Sequence, residues 1–180
     1  MSQSRGSRAV TPVLLVTGPV GVGKTAALLA AHRLLTEAGV PHAAVVLEEI
    51  QRSWPAPPDD RWNERLAHRN LASLWSNFAA AGAERLLLER VLEQRSQLRH
   101  LREAIPGAEV TVVRLRAPLP VIERRVRGRE PHLASEWHLG AARWLAPRMD
   151  LWAVEDHLIE NADSPPREVA AEILRRARWT

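Results

Sequence analysis

Gly18-Pro19-Val20-Gly21-Val22-Gly23-Lys24-Thr25 reads G-x-x-x-x-G-K-T, the spacing of a phosphate-binding loop. Before it, Val13-Leu14-Leu15-Val16-Thr17 is a short apolar run, the pattern of a buried strand. After it, residues 25–38 are rich in Ala and Leu and free of Gly and Pro, which predicts a helix. A strand, a glycine turn and a helix are the parts that phosphate binding needs. The glycines let backbone N–H groups curl around an anion, and the helix N-terminus adds partial positive charge. Gly18, Val20, Gly21, Val22, Gly23, Lys24, Thr25 and Ala26 are therefore the candidate nucleotide-holding residues. Lys24 is expected to reach the β- and γ-phosphates and to act in catalysis, and the Thr25 hydroxyl to ligate Mg²⁺.

Composition narrows the branch. Lys24 is the only lysine among 25 Lys and Arg residues. If arginine stands wherever either residue will do, the remaining lysine marks a place that needs a compact ammonium rather than a planar fork; chance survival of one lysine is the alternative. A guanine-reading N-K-x-D motif would need a second lysine, so the GTPases are excluded, and no ABC-type signature loop is present. The chain has no cysteine, which excludes disulfides, thiol catalysis and Cys-based zinc sites. Its seven histidines lack metal-ligand spacing. Net charge is +4, with basic residues spread along the chain apart from a cluster at 124–129, so nucleic acid is not an expected partner. No apolar run approaches the roughly 20 residues of a membrane span. Residues 1–11 read as a flexible polar tail and 12–180 as one domain, in a cytoplasmic protein that is a monomer or a homodimer.

Taken along the chain, Ala43-Ala44-Val45-Val46-Leu47 is a second strand ending in Glu48-Glu49. The rigid loop Trp54-Pro55-Ala56-Pro57-Pro58-Asp59-Asp60 leads to a helix, capped by Asp59 or Asp60, that runs to about Ala81. Residues 85–89 form a third strand, though 84–95 would also pass for helix. Residues 94–104 are helical, 110–115 form the clearest strand, and helices follow at 118–127 and 135–149. His157-Leu158-Ile159-Glu160 is a fifth strand, and the last helix runs from Pro166 to Arg176. The alternation β-α-β-α-α-β-α-β-α-α-β-α predicts an α/β fold with a parallel sheet covered by helices on both faces.

With these residues in place, the chain resembles the small P-loop kinases. These are adenylate-kinase-like phosphotransferases that include shikimate, gluconate and adenylylsulfate kinases and chloramphenicol phosphotransferase. The resemblance covers most of residues 13–176. It extends to the W-P-x-P-P-D loop at 54–59 and to an N-L-x-x-x-W helix at Asn70-Leu71-Ala72-Ser73-Leu74-Trp75. It implies a three-layer P-loop NTPase fold, five parallel strands in the order 2-3-1-4-5, an arginine-bearing lid, and ATP with Mg²⁺ as cofactors. The lid motif R-x-x-G-R has its spacing in Arg125-Val126-Arg127-Gly128-Arg129. The resemblance assigns Arg125 to adenine and Arg129 to the phosphates as a catalytic residue. An arginine-rich solvated helix end is the plainer alternative. The resemblance also assigns the loop Asn161-Ala162-Asp163-Ser164-Pro165 to backbone contacts with adenine.

On the acceptor side, related kinases carry an Asp at the end of the second strand, often D-x-D. Here the first acidic position is Val46, and Glu48 stands at the second. Glu48 is the expected base or Mg²⁺-water contact, with Glu49 as runner-up and a solvated strand-end acid pair as the alternative. Glu89, after Leu86-Leu87-Leu88, is a candidate acid for holding Mg²⁺ through water; an exposed charge after a buried strand is the commoner meaning of that pattern. Trp54, Asn63 and Arg69 are the candidate substrate-binding residues, and Trp62 and Trp75 are weaker ones. The expected function is ATP-dependent transfer of the γ-phosphoryl group to a small-molecule acceptor, a hydroxyl. The alternative is an ATP-binding regulatory or slow ATPase module with no such acceptor.

Overall fold

The computed structural model describes residues 10–128 and 136–180. Five strands build one sheet: β1 Thr11–Thr17, β2 Ala43–Val46, β3 Leu86–Glu89, β4 Ala108–Arg116 and β5 His157–Glu160. All neighbours pair in parallel and the order is β2-β3-β1-β4-β5. The helices are α1 Lys24–Glu37, α2 Leu47–Ile50, α3 Glu64–Ala80, α4 Leu98–Ala104, α5 Leu119–Arg127, α6 Glu136–Trp152 and α7 Pro166–Arg176. A 3-10 turn, Arg95–Gln97, leads into α4.

The two-residue period of the strands divides the core in two. Leu14 and Val16 of β1, Leu87 of β3 and Val113 and Leu115 of β4 pack with α1, α5 and α7. Val13, Leu15, Leu86, Leu88 and Val112 point to the other face and pack with α3 and α4. Strands buried on both faces explain the unbroken apolar runs that mark them in the sequence. Trp75 is buried in the second cluster, so it serves as core.

Two boundaries next to the candidate site differ from expectation. β2 ends at Val46, and Leu47–Ile50 turn at once into α2, which places Glu48 and Glu49 on a helical turn rather than a strand end. Two long-range bonds hold the turn: Asn70 Nδ2 donates to the Ile50 carbonyl at 2.7 Å, and the Val91 N–H donates to Glu48 Oε1 at 3.1 Å. α3 begins at Glu64, later than expected. Its N-cap position is Asn63, whose side chain makes no cap bond; Asp60, three residues upstream, does that work instead, with Oδ2 accepting the N–H groups of Arg65 and Leu66 at 3.0 and 3.1 Å. Among the described residues no helix is long and apolar enough to cross a membrane.

Candidate nucleotide and acceptor site

The glycine loop sits where β1 meets α1, against the ends of β4 and α5. Gly18 has φ 145°, and a Cβ there would lie 2.6 Å from the Leu115 carbonyl oxygen. Gly21 has φ 84°, and its Cβ would lie 2.5 Å from Val126 Cγ2, so α5 rests directly on the loop. These are close approaches that only glycine allows. Gly23, also left-handed, is the N-cap of α1. No side chain caps α1 and its first turn has no acidic residue. Its first N–H donors therefore have no side-chain cap, which leaves them available to an anion. Val22 is buried, while Thr25 and Ala26 are exposed at the mouth.

Lys24, Thr25 and Glu89 converge there. Lys24 is 9% exposed; its Nζ donates to the Pro19 carbonyl at 3.3 Å and lies 4.0 Å from Glu89 Oε1. The Thr25 hydroxyl donates to the same Glu89 Oε1 at 3.0 Å. Glu89 is 5% exposed, which decides against the surface-charge alternative. Burial holds its carboxyl above the usual range, against the opposing pull of Lys24 and the Thr25 hydrogen bond, while Glu48 and Glu49 push it further up. Glu89 Oε2 is buried with no partner. A divalent cation beside Thr25 fits this donor set. It would give the orphaned oxygen a partner, directly or through water, and would favour the ionised acid. Among the described residues no three or more His, Cys, Asp or Glu side chains cluster to hold a metal, so the remaining ligands would come from phosphate oxygens and water.

Arg125 is half-buried and bonded to backbone. Its Nη1 donates to the carbonyls of Asn161 and Val22 at 2.8 and 3.2 Å, and its Nη2 to that of Ala162 at 2.6 Å. It thus ties α5 to the glycine loop and to the β5–α7 loop. Asn161 makes the same junction from below: it is buried, and its Nδ2 donates to the Val22 carbonyl at 2.7 Å. Nothing in the sequence singled out the Asn161 side chain, whose partner is 139 positions away. Arg129 lies outside the described residues.

On the acceptor side, Glu48 Oε1 accepts the Val91 N–H just past β3, and its Oε2 is buried and unpartnered. Glu49 is exposed and paired with Arg52 at 2.8 Å. Of the two, Glu48 is the one turned toward Glu89's strand. Beside it lies Arg90, 7% exposed, which sequence reasoning missed. Arg90 Nη2 pairs with Glu64 at 2.9 Å, its Nη1 donates to His68 Nε2 at 3.0 Å, and its Nε donates to the Val91 carbonyl. The other ring nitrogen of His68 faces the Glu64 carbonyl at 2.7 Å, so a neutral ring with Nδ1 protonated satisfies both contacts. Burial, with Arg90 nearby, holds the His68 pKa down. An arginine directly after the β3 acid was the only available signal.

The three expected acceptor residues fall in two places. Trp54 and Asn63 line one open groove; Trp54 is 92% exposed, and Asn63 Nδ2 donates to the Ser53 carbonyl at 3.1 Å. Arg69 lines a separate cleft of about 780 Å³ between α3 and α4, together with Asp60, Glu64 and His100. No glycine-loop residue lines either space.

No family model matches the chain, and no curated protein matches it by sequence. Solved structures do match over nearly the whole length. A sugar kinase from a Janibacter species is 23% identical, with TM-score 0.61, over 92% of this chain and 93% of that one. The Deinococcus radiodurans tunicamycin resistance protein is 20% identical, with TM-score 0.63, over 92% and 95%. The Mycobacterium tuberculosis APS kinase, solved with AMPPNP and APS, is 16% identical, with TM-score 0.62, over 95% and 99%. The fold is that of the small P-loop kinases.

Proposed function

We propose that this chain is an ATP- and Mg²⁺-dependent kinase that transfers the γ-phosphoryl group to a hydroxyl of a small molecule. The observation that carries the reading is the convergence of Lys24, Thr25 and buried Glu89 on an uncapped helix N-terminus. The kinase activities of the sugar-kinase and APS-kinase neighbours support it as analogy. Thr25 and Glu89 would hold Mg²⁺, directly or through water, and the ion would supply neutralisation of phosphate charge. The glycine-loop amides and Lys24 hold the β- and γ-phosphates in line. Arg125 and Asn161 fix the loop on which adenine rests. Glu48 takes the proton as the acceptor oxygen forms its bond to phosphorus and the bond to the β-phosphate oxygen breaks. Trp54 and Asn63 are assigned to the acceptor and Arg129 to charge on the transferring group, while Arg69, in the separate cleft, is left out of this assignment. The reading implies the cytoplasm, where ATP is present.

The test follows the γ-phosphate. Purified protein with γ-labelled ATP and Mg²⁺ should transfer label to an acceptor in a small-molecule metabolite extract, with ADP release stimulated by that extract. ATP binding with no transfer and no stimulation would replace this reading by that of a regulatory module.

A further inference from the structure

The acceptor side carries chemistry of its own. Glu48, Gln51, Glu64, Arg90, Glu93 and Gln97 line a cavity of about 150 Å³ next to the proposed base. Arg90 is matched by its ion pair with Glu64, and its other assigned contacts are His68 and the Val91 carbonyl. Glu48 and Glu93 have no such counter-charge in the lining. A carboxylate or phosphate beside the reacting hydroxyl would face two anions, whereas hydroxyl or ammonium donors would find acceptors.

Gln51 also lines the open groove of about 530 Å³ that is flanked by Trp54 and Trp62, so the two spaces share a wall. Trp54 is 92% exposed and Trp62 is 71% exposed, which does nothing for folding. Their flat faces suit the apolar face of a sugar ring. Arg61 lies over the Trp62 ring at 5.1 Å, and Arg52 is paired with Glu49. The same groove is lined by Asn63, which is 7% exposed and whose Oδ1 has no partner, an acceptor waiting for a donor.

Resting on the kinase reading above, we propose that the acceptor is a neutral or amine-bearing sugar or glycoside, with no anionic group next to the hydroxyl that is phosphorylated. The ring stacks on Trp54 and Trp62 and its donors face Glu48, Glu93 and Asn63.

Four ring-matched probes test this without turnover: methyl glucoside, glucosamine, glucuronate and glucose 6-phosphate. Each is titrated against the Trp fluorescence of protein held with Mg²⁺ and a non-hydrolysable ATP analogue. The first two should bind at least about tenfold more tightly than the two anions. Trp54→Phe combined with Trp62→Phe should remove the signal, and Glu93→Gln should narrow the glucosamine-to-glucuronate ratio. Anions that bind as well as the neutral probes, no response to any probe, or a ratio unmoved by Glu93→Gln would overturn the proposal. The kinase reading fails separately. A preserved preference with no label transfer to any acceptor would retire the transfer and keep the selectivity, and transfer to an anionic acceptor would do the reverse.

Discussion

The two sides of the γ-phosphate position are built differently. On the donor side nearly every group is tied down. Gly18 and Gly21 are pressed against Leu115 and Val126, Arg125 and Asn161 bond the Val22 carbonyl, and Lys24 and Thr25 share Glu89. On the acceptor side the large side chains are open, with Trp54 and Trp62 exposed; orphaned oxygens occur on both sides, Glu48 Oε2 and Asn63 Oδ1 here and Glu89 Oε2 and Asn161 Oδ1 there. The difference follows from what each side recognises. On the proposed reading, the triphosphate is constant, so its cradle is rigid and largely backbone. On the same reading, an acceptor is read by side chains on the β2–α3 connection, as loops are where specificity is commonly carried.

If that division is right, substitutions on the two sides separate in what they change. The largest effect belongs to Lys24→Ala. It removes the ammonium at the β- and γ-phosphates and should lower turnover at least about 100-fold, since losing one such donor costs about 2.7–4 kcal/mol. Circular dichroism should show the variant folded, and near-normal turnover would break the donor-side assignment. Next comes Arg125→Met, which frees the three carbonyls that join α5, the glycine loop and the β5–α7 loop. Bonds from a charged donor contribute about 1.5–3 kcal/mol, so the KM for ATP should rise roughly tenfold. The acceptor KM should stay nearly constant, and equal shifts in both would blur the two sides. Trp54→Ala is the mirror image: acceptor KM should rise a few-fold, on the order of the 0.5–1.5 kcal/mol of an aromatic contact, with the ATP KM unmoved.

The smallest effect is one of pH. Because burial raises the Glu89 carboxyl, this group favours the nucleotide-free fold while protonated. That contribution is full below the ordinary carboxylate range and is lost as pH rises through the higher folded value. Chemical denaturation of nucleotide-free protein from pH 4 to pH 7 should therefore show a stability component that declines with pH, and Glu89→Gln should remove it. Mg²⁺ with nucleotide should also remove it in the wild-type protein, by stabilising the ionised acid. A Glu89→Gln profile parallel to wild type would show that Thr25 and Lys24 already compensate the charge.

The donor side was legible in the sequence because its chemistry is local. Gly18 to Thr25 are contiguous, β1 and α1 flank them, and the apolar runs of β1, β3 and β4 announce strands buried on both faces. The sheet order came with the resemblance, and the pairing agrees with it. The acceptor side was less legible because it is assembled from distance. Arg90 depends on Glu64 and His68, 26 and 22 positions away, and Glu48 on Val91, 43 away. The early end of β2 is set by the same kind of contact: Leu47-Glu48-Glu49-Ile50 accepts either structure locally, and Asn70 and Val91 choose the helical turn. Trp54 and Trp75 show the limit of composition. Both are tryptophans near the acceptor region, yet one is 92% exposed and the other 7%, since only Trp75 falls on the face of α3 that meets the sheet.

Glu48 joins the two halves, and one variant tests whether they are separable. On a single preparation of Glu48→Gln, the dissociation constant for ATP and the rate of labelled phosphoryl transfer are measured together. Transfer should fall about 100-fold, the lower range for loss of a general base, with ATP binding within a few-fold of wild type. Transfer that survives the substitution, or ATP binding that collapses with it, would contradict a fixed donor cradle facing a separate acid at the acceptor.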